Sequence, residues 1–348
     1  MYLIEAGVTA LVDTAVAIPD VRADLREGLG EHGVAFADVD AVVLTHWHPD
    51  HAGLAGEIQA AGGAEVFVHE ADAPLVDGRD VPLPADPTAQ RETFERWGMP
   101  AAARDRLRAF FETEATGLGG PDASVTTVTD GATVSLGAAT LEAVHLPGHT
   151  AGLCAFAFDP RTLADHDAAE MDGREDGSAR RNEKRDDGPE EAFTGDALLP
   201  RYTPNVGGAD VRLSDPLAAY ADSLARIVGR DWDAAHPGHR ERIDEPSRRA
   251  AATLEHHRQR TRRVIDVLTA GAATAWEVST ALFGDLDGIH TLHGPGEAFA
   301  HLDHLASAGV AERDGTAYRL VDPDPDVGAL FPTTPLDGRV CETEDGGR

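Results

Sequence analysis

The chain has 348 residues, 42% of them hydrophobic, with 61 Asp and Glu against 30 Lys and Arg and a formal net charge of −31. That length gives room for two domains and a substantial core. No run of about 18 apolar residues marks a membrane helix and no charged-then-apolar leader opens the chain, while the two cysteines, Cys154 and Cys341, exclude a disulfide framework and point to a reducing, cytoplasmic setting. With Lys184 the lone lysine, the acidic surface reads as halophilic adaptation, since at about 1 M salt a Debye length of about 3 Å screens its self-repulsion.

In chain order, Met1 to Glu5 reads as a strand turned by Ala6-Gly7 into a second strand, Val8 to Asp13. Ala41-Val42-Val43-Leu44 is a short buried strand, followed directly by His46, Trp47, His48, Pro49, Asp50 and His51, an H-x-H-x-D-H cluster. A loop leaving a rigid strand holds such side chains in place. Two imidazoles two residues apart can reach one borderline-soft cation while the carboxylate and the next imidazole turn toward a second.

The strand Val66-Phe67-Val68 ends at His69, and residues 87 to 120 form an insertion with helical spacing around Phe94-Trp97 and Leu107-Phe110-Phe111. Packing of those aromatics onto the sheet is expected, with a lid as the competing role. Three later apolar strands lead into a metal-ligating type beside a glycine that lets the backbone turn. Leu141 to Leu146 leads into Pro147-Gly148-His149-Thr150, Ala192-Phe193 into Thr194-Gly195-Asp196, and Trp232 to Ala235 into His236-Pro237-Gly238-His239. His69, His145 and His236 are expected to be hydrogen-bonded structural groups. Between Leu153 to Phe158 and Ala192, residues 161 to 191 mix charges and glycine with almost no large apolar side chain, and read as a disordered surface loop. Leu198 to Asn205 follows Asp196 to the mouth of the site, where Arg201 and Tyr202 are the candidate substrate contacts.

From about residue 246 the pattern becomes helical. Leu254, Thr261, Ile265 and Leu268 share a face of a helix stopped by Gly271; Thr274-Ala275-Trp276-Glu277 is a capping box opening a second helix that ends near Gly284. A third is expected after Pro295, and Val310 to Arg313 with Thr316 to Leu320 make a hairpin about Asp314-Gly315. Residues 246–322 thus read as a winged-helix domain and 323–348 as an acidic disordered tail. A nucleic-acid-reading helix is basic, yet Gly296 to Ala308 carries Glu297 and Asp303 and no Lys or Arg, which favours a structural, dimerising or site-covering role.

The ordered series THWHPDH, PGHTAG, FTGD and HPGH over about residues 1 to 245 resembles the metallo-β-lactamase superfamily of binuclear metallohydrolases. The resemblance implies an α/β class fold, an αββα sandwich over 1–245 followed by the small winged-helix domain; similar proteins usually carry another strand before Tyr2, so either the start codon is misplaced or that strand is missing. It implies that His46, His48 and His149 hold one metal, Asp50, His51 and His239 the other, and that Asp196 bridges them, with Asp13 supporting the site from behind. Two zinc ions are implied, with iron or manganese as alternatives. A shared hydroxide would be the nucleophile and Asp50 would orient it and relay its proton. The expected substrate is a small thioester, ester or lactone, as for the similar hydroxyacylglutathione hydrolases. RNA cleavage by a phosphodiesterase, as in endoribonucleases of the lactamase-β-like branch, is the alternative, and a nucleic-acid-binding regulator with a vestigial metal core a third. A homodimer is compatible with each, and β-lactam hydrolysis is disfavoured by architecture.

Overall fold

The computed structural model describes residues 1–113, 117–163 and 188–338. The loop read at 161–191 falls largely on residues 164–187, and Cys341 with the end of the tail on 339–348, outside the described residues.

Two five-stranded sheets form the centre. In the first, β1 (Tyr2–Glu5) turns back antiparallel onto β2 (Thr9–Val12), and β3 (Ala41–Val43), β4 (Glu65–His69) and β5 (Val125–Val128) follow in parallel, linked through α1 (Pro19–Glu31), α2 (Pro49–Ala52), α3 (Ala55–Gly62), α4 (Ala73–Val76), α5 (Pro87–Arg96) and α6 (Ala101–Thr113). The second is ordered β10 (Ala234–Pro237), β9 (Glu191–Gly195), β8 (Cys154–Phe158), β7 (Ala139–His145), β6 (Thr133–Leu136), with only β9 and β10 parallel and α7 (Pro216–Arg230) crossing between them.

Strand alternation sorts the side chains into layers. Ala10, Val12, Ala41 and Val43 face Leu141, Ala143, Cys154 and Phe156 between the sheets. Leu11, Val42, Leu44 and Val66 point outward onto Leu25, Leu29 and Ile58 of α1 and α3. On the far side, Val144, Ala155, Ala157 and Ala192 are covered by Leu217, Tyr220, Leu224 and Leu254. The stacking is helix, sheet, sheet, helix, a mixed α/β fold. Among the described residues, no helix is long and apolar enough to cross a membrane.

The C-terminal elements are α8 (Pro246–Thr269), β11 (Ala273–Thr274), α9 (Ala275–Phe283), α10 (His290–Ser307), β12 (Ala311–Asp314) and β13 (Ala317–Leu320), the strands forming a third sheet in the order β11-β13-β12. The reciprocal cap between Thr274 and Glu277 is present, and Leu254, Thr261, Ile265 and Leu268 are all buried.

Three expectations need correction here. The third helix does not wait for Pro295 but begins at His290 and carries the proline inside. The Gly294-Pro295-Gly296 run has poor helical propensity, but all three residues are buried, and tertiary packing overrides it. Trp97 packs against the C-terminal helices rather than simply onto the sheet, 6.1 Å from Phe299 between ring centres and with its carbonyl accepting from Trp276 N at 2.9 Å, while Phe94 is fully buried. The stretch from 323 is ordered as far as residue 338, because Val327 and Phe331 are buried apolar anchors, Phe331 sits 5.1 Å from the His304 ring, and Asp337 pairs with Arg258 at 3.1 Å.

Candidate metal centre

Parallel pairing of β2 with β3 and of β9 with β10 brings the ends of those strands to one edge, and the loops leaving that edge carry the chemistry. A register shift between His236 and Pro237 lets Gly238 N bond Gly195 O at 2.9 Å, which sets the two loops side by side. Gly238 has no substitute there, because a Cβ would stand 2.4 Å from His51 Cε1 and 2.8 Å from Asp196 Oδ1.

All seven donors expected from the sequence converge. His48 Nδ1 lies 3.0 Å from both His46 Nε2 and His149 Nε2, so three ring nitrogens face one point. Beside it, Asp50 Oδ2 lies 3.2 Å from His239 Nε2 and 3.7 Å from His51 Nε2. Asp196 stands between the groups, Oδ1 at 3.6 Å from both His51 Nε2 and His239 Nε2, Oδ2 at 3.6 Å from His149 Nε2.

The outer nitrogens of four imidazoles are tied down. His46 Nδ1 meets Thr45 Oγ1 at 3.0 Å, His48 Nε2 meets the Ala209 carbonyl at 3.1 Å, His149 Nδ1 the Asn205 carbonyl at 2.8 Å, and His51 Nδ1 the Asp13 carboxylate at 2.8 Å. Each contact puts the proton on the outer nitrogen and aims the inner lone pair at the centre. Asp13 also accepts from Thr45 N and from the Thr45 hydroxyl, in a left-handed backbone with φ 58°. Such a conformation is rare for a residue with a β-carbon and is held by its surroundings.

Electrostatics split the donors into two groups. Burial, then the crowding of His51 and the other rings, holds His46 well below the ordinary histidine range, and burial with His149 brings His48 to about 3. Burial opposes charge on His51 too, but Asp13, Asp196 and Asp50 outweigh it and raise the ring to about 9. Burial likewise works against the Asp50 carboxylate, yet the His239 hydrogen bond and the nearby rings hold it below the carboxylate range. His51 Nε2 and Asp196 Oδ1 are buried with no hydrogen-bond partner among the described residues. An unsatisfied buried polar atom costs about 1–3 kcal/mol. A divalent cation would satisfy both, so the residues present fit a metal pair.

Several supports carry no sequence signal. Asp72, fully buried, accepts from Trp47 N (3.3 Å), Thr150 Oγ1 (2.8 Å), Gly152 N (2.9 Å) and Arg212 Nη2 (2.6 Å). It ties the 46–51 loop to the 147–152 loop. Arg212 also grips Asp210, which accepts from Ala151 N. The 205–209 segment that orients His48 and His149 is wedged against α10: Asn205 Nδ2 donates to the His293 carbonyl at 3.0 Å, and a Cβ on Gly296 would stand 2.3 Å from Gly208 Cα.

The remaining histidines lie outside the converging set. His69 and His145 stack at 4.0 Å, His145 Nε2 meeting the Ala151 carbonyl, while His236 pairs with Glu191 at 2.6 Å. Burial and His145 lower His69 to about 4. Between pH 6.5 and about 4 the unfolded chain binds this proton and the folded one does not, so stability is complete above that window and falls as pH drops through it. His69→Leu should flatten the decline in thermal midpoint across that window; an unchanged slope would remove His69 as the cause. Arg201 and Tyr202 are exposed beside the His239 loop, Arg201 paired with Glu241 at 3.2 Å and the Tyr202 ring under Arg240.

Comparison with known proteins fits this geometry. Residues 1–163 match the model of the Metallo-beta-lactamase superfamily. The probable metallo-hydrolase YqjP of Bacillus subtilis (strain 168) is 24% identical over 329 residues, covering 91% of this chain and 89% of that protein. A metallo-beta-lactamase family protein from Thermus thermophilus superposes with a TM-score of 0.70 at 28% identity over 92% of each chain. A beta-lactamase domain protein from Burkholderia ambifaria gives 0.66 at 21% over 91% and 85%. The last three matches span more of the chain than residues 1–245 comprise.

Proposed function

We propose that the chain, whose residues 1–163 match the Metallo-beta-lactamase superfamily model, is a binuclear zinc hydrolase of a small thioester, ester or lactone. The observation that carries this is the convergence of seven donors with His51 Nε2 and Asp196 Oδ1 left unpartnered in a buried site. His46, His48 and His149 would hold one cation and Asp50, His51 and His239 the other, with Asp196 placed to serve both. When bound, zinc would supply Lewis-acid polarisation of the scissile carbonyl and lower the pKa of water toward about 7. Asp50, half-exposed at the rim, orients the attacking water and takes its proton. The tied outer nitrogens keep the four imidazoles from turning away.

The C-terminal helices and their three-stranded sheet read as a winged-helix unit used as a wall of the site. Most of α10 from Thr291 to Leu305 is buried, and Glu297 faces inward in an ion pair with Arg260. A helix so covered has no face to lay in a nucleic-acid groove, which favours a small substrate over RNA. The test is a competition in concentrated KCl between a small acyl thioester and a single-stranded RNA, using metal-stripped protein, zinc-reloaded protein and Asp196→Ala. Thioester cleavage confined to the reloaded protein is expected. Preferential RNA cleavage would overturn the substrate assignment, and turnover unaffected by stripping would overturn the metal one.

A further inference from the structure

Of the seven converging donors only Asp50 and His239 are exposed, their side chains 47% and 44% accessible, so a substrate reaches the centre across their edge. That edge is built by the residues after His239 and by the turn that follows Leu199.

Three observations set the edge apart. Tyr202 and Arg240 both hold left-handed backbone, φ 61° and 71°, which residues with a β-carbon rarely adopt and which collects at functional sites. The Arg240 guanidinium lies 5.3 Å from the centre of the Tyr202 ring, and Tyr202 is 64% exposed. Neighbouring arginines are neutralised, Arg201 by Glu241 and Arg242 by Glu191 and Asp244, whereas Arg240 has no carboxylate within ion-pair distance among the described residues. Its charge is felt by Glu241, but that carboxylate is held by Arg201, so the Arg240 guanidinium stands beside the site entrance with no ion pair of its own among the described residues. The turn is also fixed from beneath, since Arg249 donates to the carbonyls of Leu199 and Tyr202.

We infer that Arg240, seated on Tyr202, binds a carboxylate carried by the substrate a few atoms from its scissile carbonyl, so that the acyl compounds taken are anionic ones. This rests on the hydrolase reading above. A planar guanidinium offers paired donors to a carboxylate while its face stays on an aromatic ring, which a lysine could not reproduce. Against an overall charge of −31, the local cation sets which acyl groups are admitted.

The experiment compares 4-nitrophenyl hemisuccinate with 4-nitrophenyl acetate on the zinc-loaded protein, and glutarate with butyrate by isothermal titration calorimetry, in wild type, Arg240→Gln, Arg240→Lys and Tyr202→Leu. In wild type the hemisuccinate should have the lower KM by about tenfold or more, and glutarate should bind tighter than butyrate by a similar factor, as befits one charge-assisted contact. Arg240→Gln should abolish both ratios, Arg240→Lys should keep part of them, and Tyr202→Leu should reduce them. Hydrolysis of both esters with ratios near one, or ratios unchanged in Arg240→Gln, would overturn the anion site while leaving the hydrolase reading intact. No hydrolysis of either ester with an Arg240-dependent glutarate preference would support the site and count against the hydrolase reading; absence of both would remove the two together.

Discussion

Replacing Asp196 by alanine should abolish tight loading of both proposed metal positions while leaving the metal-free fold intact. The carboxylate sends Oδ1 toward His51 and His239 and Oδ2 toward His149, each at 3.6 Å, so it is the one side chain that belongs to both donor groups. Removing an outer support of a metal ligand costs about 10–100-fold in affinity or activity, and removing a shared ligand should cost more. The metal-free protein should behave differently, because relieving Oδ1 of burial without a hydrogen-bond partner, worth about 1–3 kcal/mol, offsets the lost attraction for the His51 ring. The expected pattern is therefore an unchanged or higher thermal midpoint without metal, and a loss of the zinc-induced rise, since a ligand stabilises only in proportion to its binding of the folded state. Calorimetric melting with and without zinc, alongside metal content after dialysis, reads both halves. Retention of two zinc ions per chain by the variant would remove Asp196 from the shared position.

The donors were legible because each follows a short apolar strand at a glycine or histidine-rich turn, and a strand lies at each apolar run, with ends displaced by one or two residues. Gly238 illustrates the coupling, its missing Cβ being the space that His51 and Asp196 occupy. The supports were not legible for a physical reason: the groups orienting His48 and His149 are the carbonyls of Ala209 and Asn205, and a carbonyl leaves no mark on residue type. Asp72 is likewise a single acid near a strand end, distinguished only by the loops that fold around it. The beginning of α10 escaped because Gly294-Pro295-Gly296 argues locally against a helix, whereas the close approach of Gly296 to Gly208 exists only in the folded chain. Trp97 was readable as buried, but its partners, Trp276 and Phe299, lie far along the chain, and periodicity says nothing of what covers a buried face.

Asp72→Ala should then be among the most destabilising single changes in the protein, although Asp72 is not one of the converging donors. Its carboxylate is fully buried and accepts from two backbone amides, a hydroxyl and a guanidinium. Deleting it strands Trp47 N, Thr150 Oγ1 and Gly152 N, and leaves Arg212 with Asp210 as its remaining carboxylate beside the Ala71 carbonyl. Breaking a buried pair by removing one partner costs about 3–5 kcal/mol, with the orphaned donors adding to it. The consequence for the site follows from which loops are released: Trp47 lies between His46 and His48, and Thr150 follows His149, so the three nitrogens that meet at 3.0 Å lose their common anchor. The other donor group is anchored elsewhere, by Asp13 on His51 and by the Gly238–Gly195 bond. Zinc titration of the folded variant should accordingly show the His46, His48, His149 position weakened by about 10–100-fold while the second position holds. Asp72→Asn, which keeps the shape and part of the acceptor set, should fall between the variant and wild type in denaturant stability. Equal weakening of both positions would mean that Asp72 supports the fold at large and not this one group of ligands.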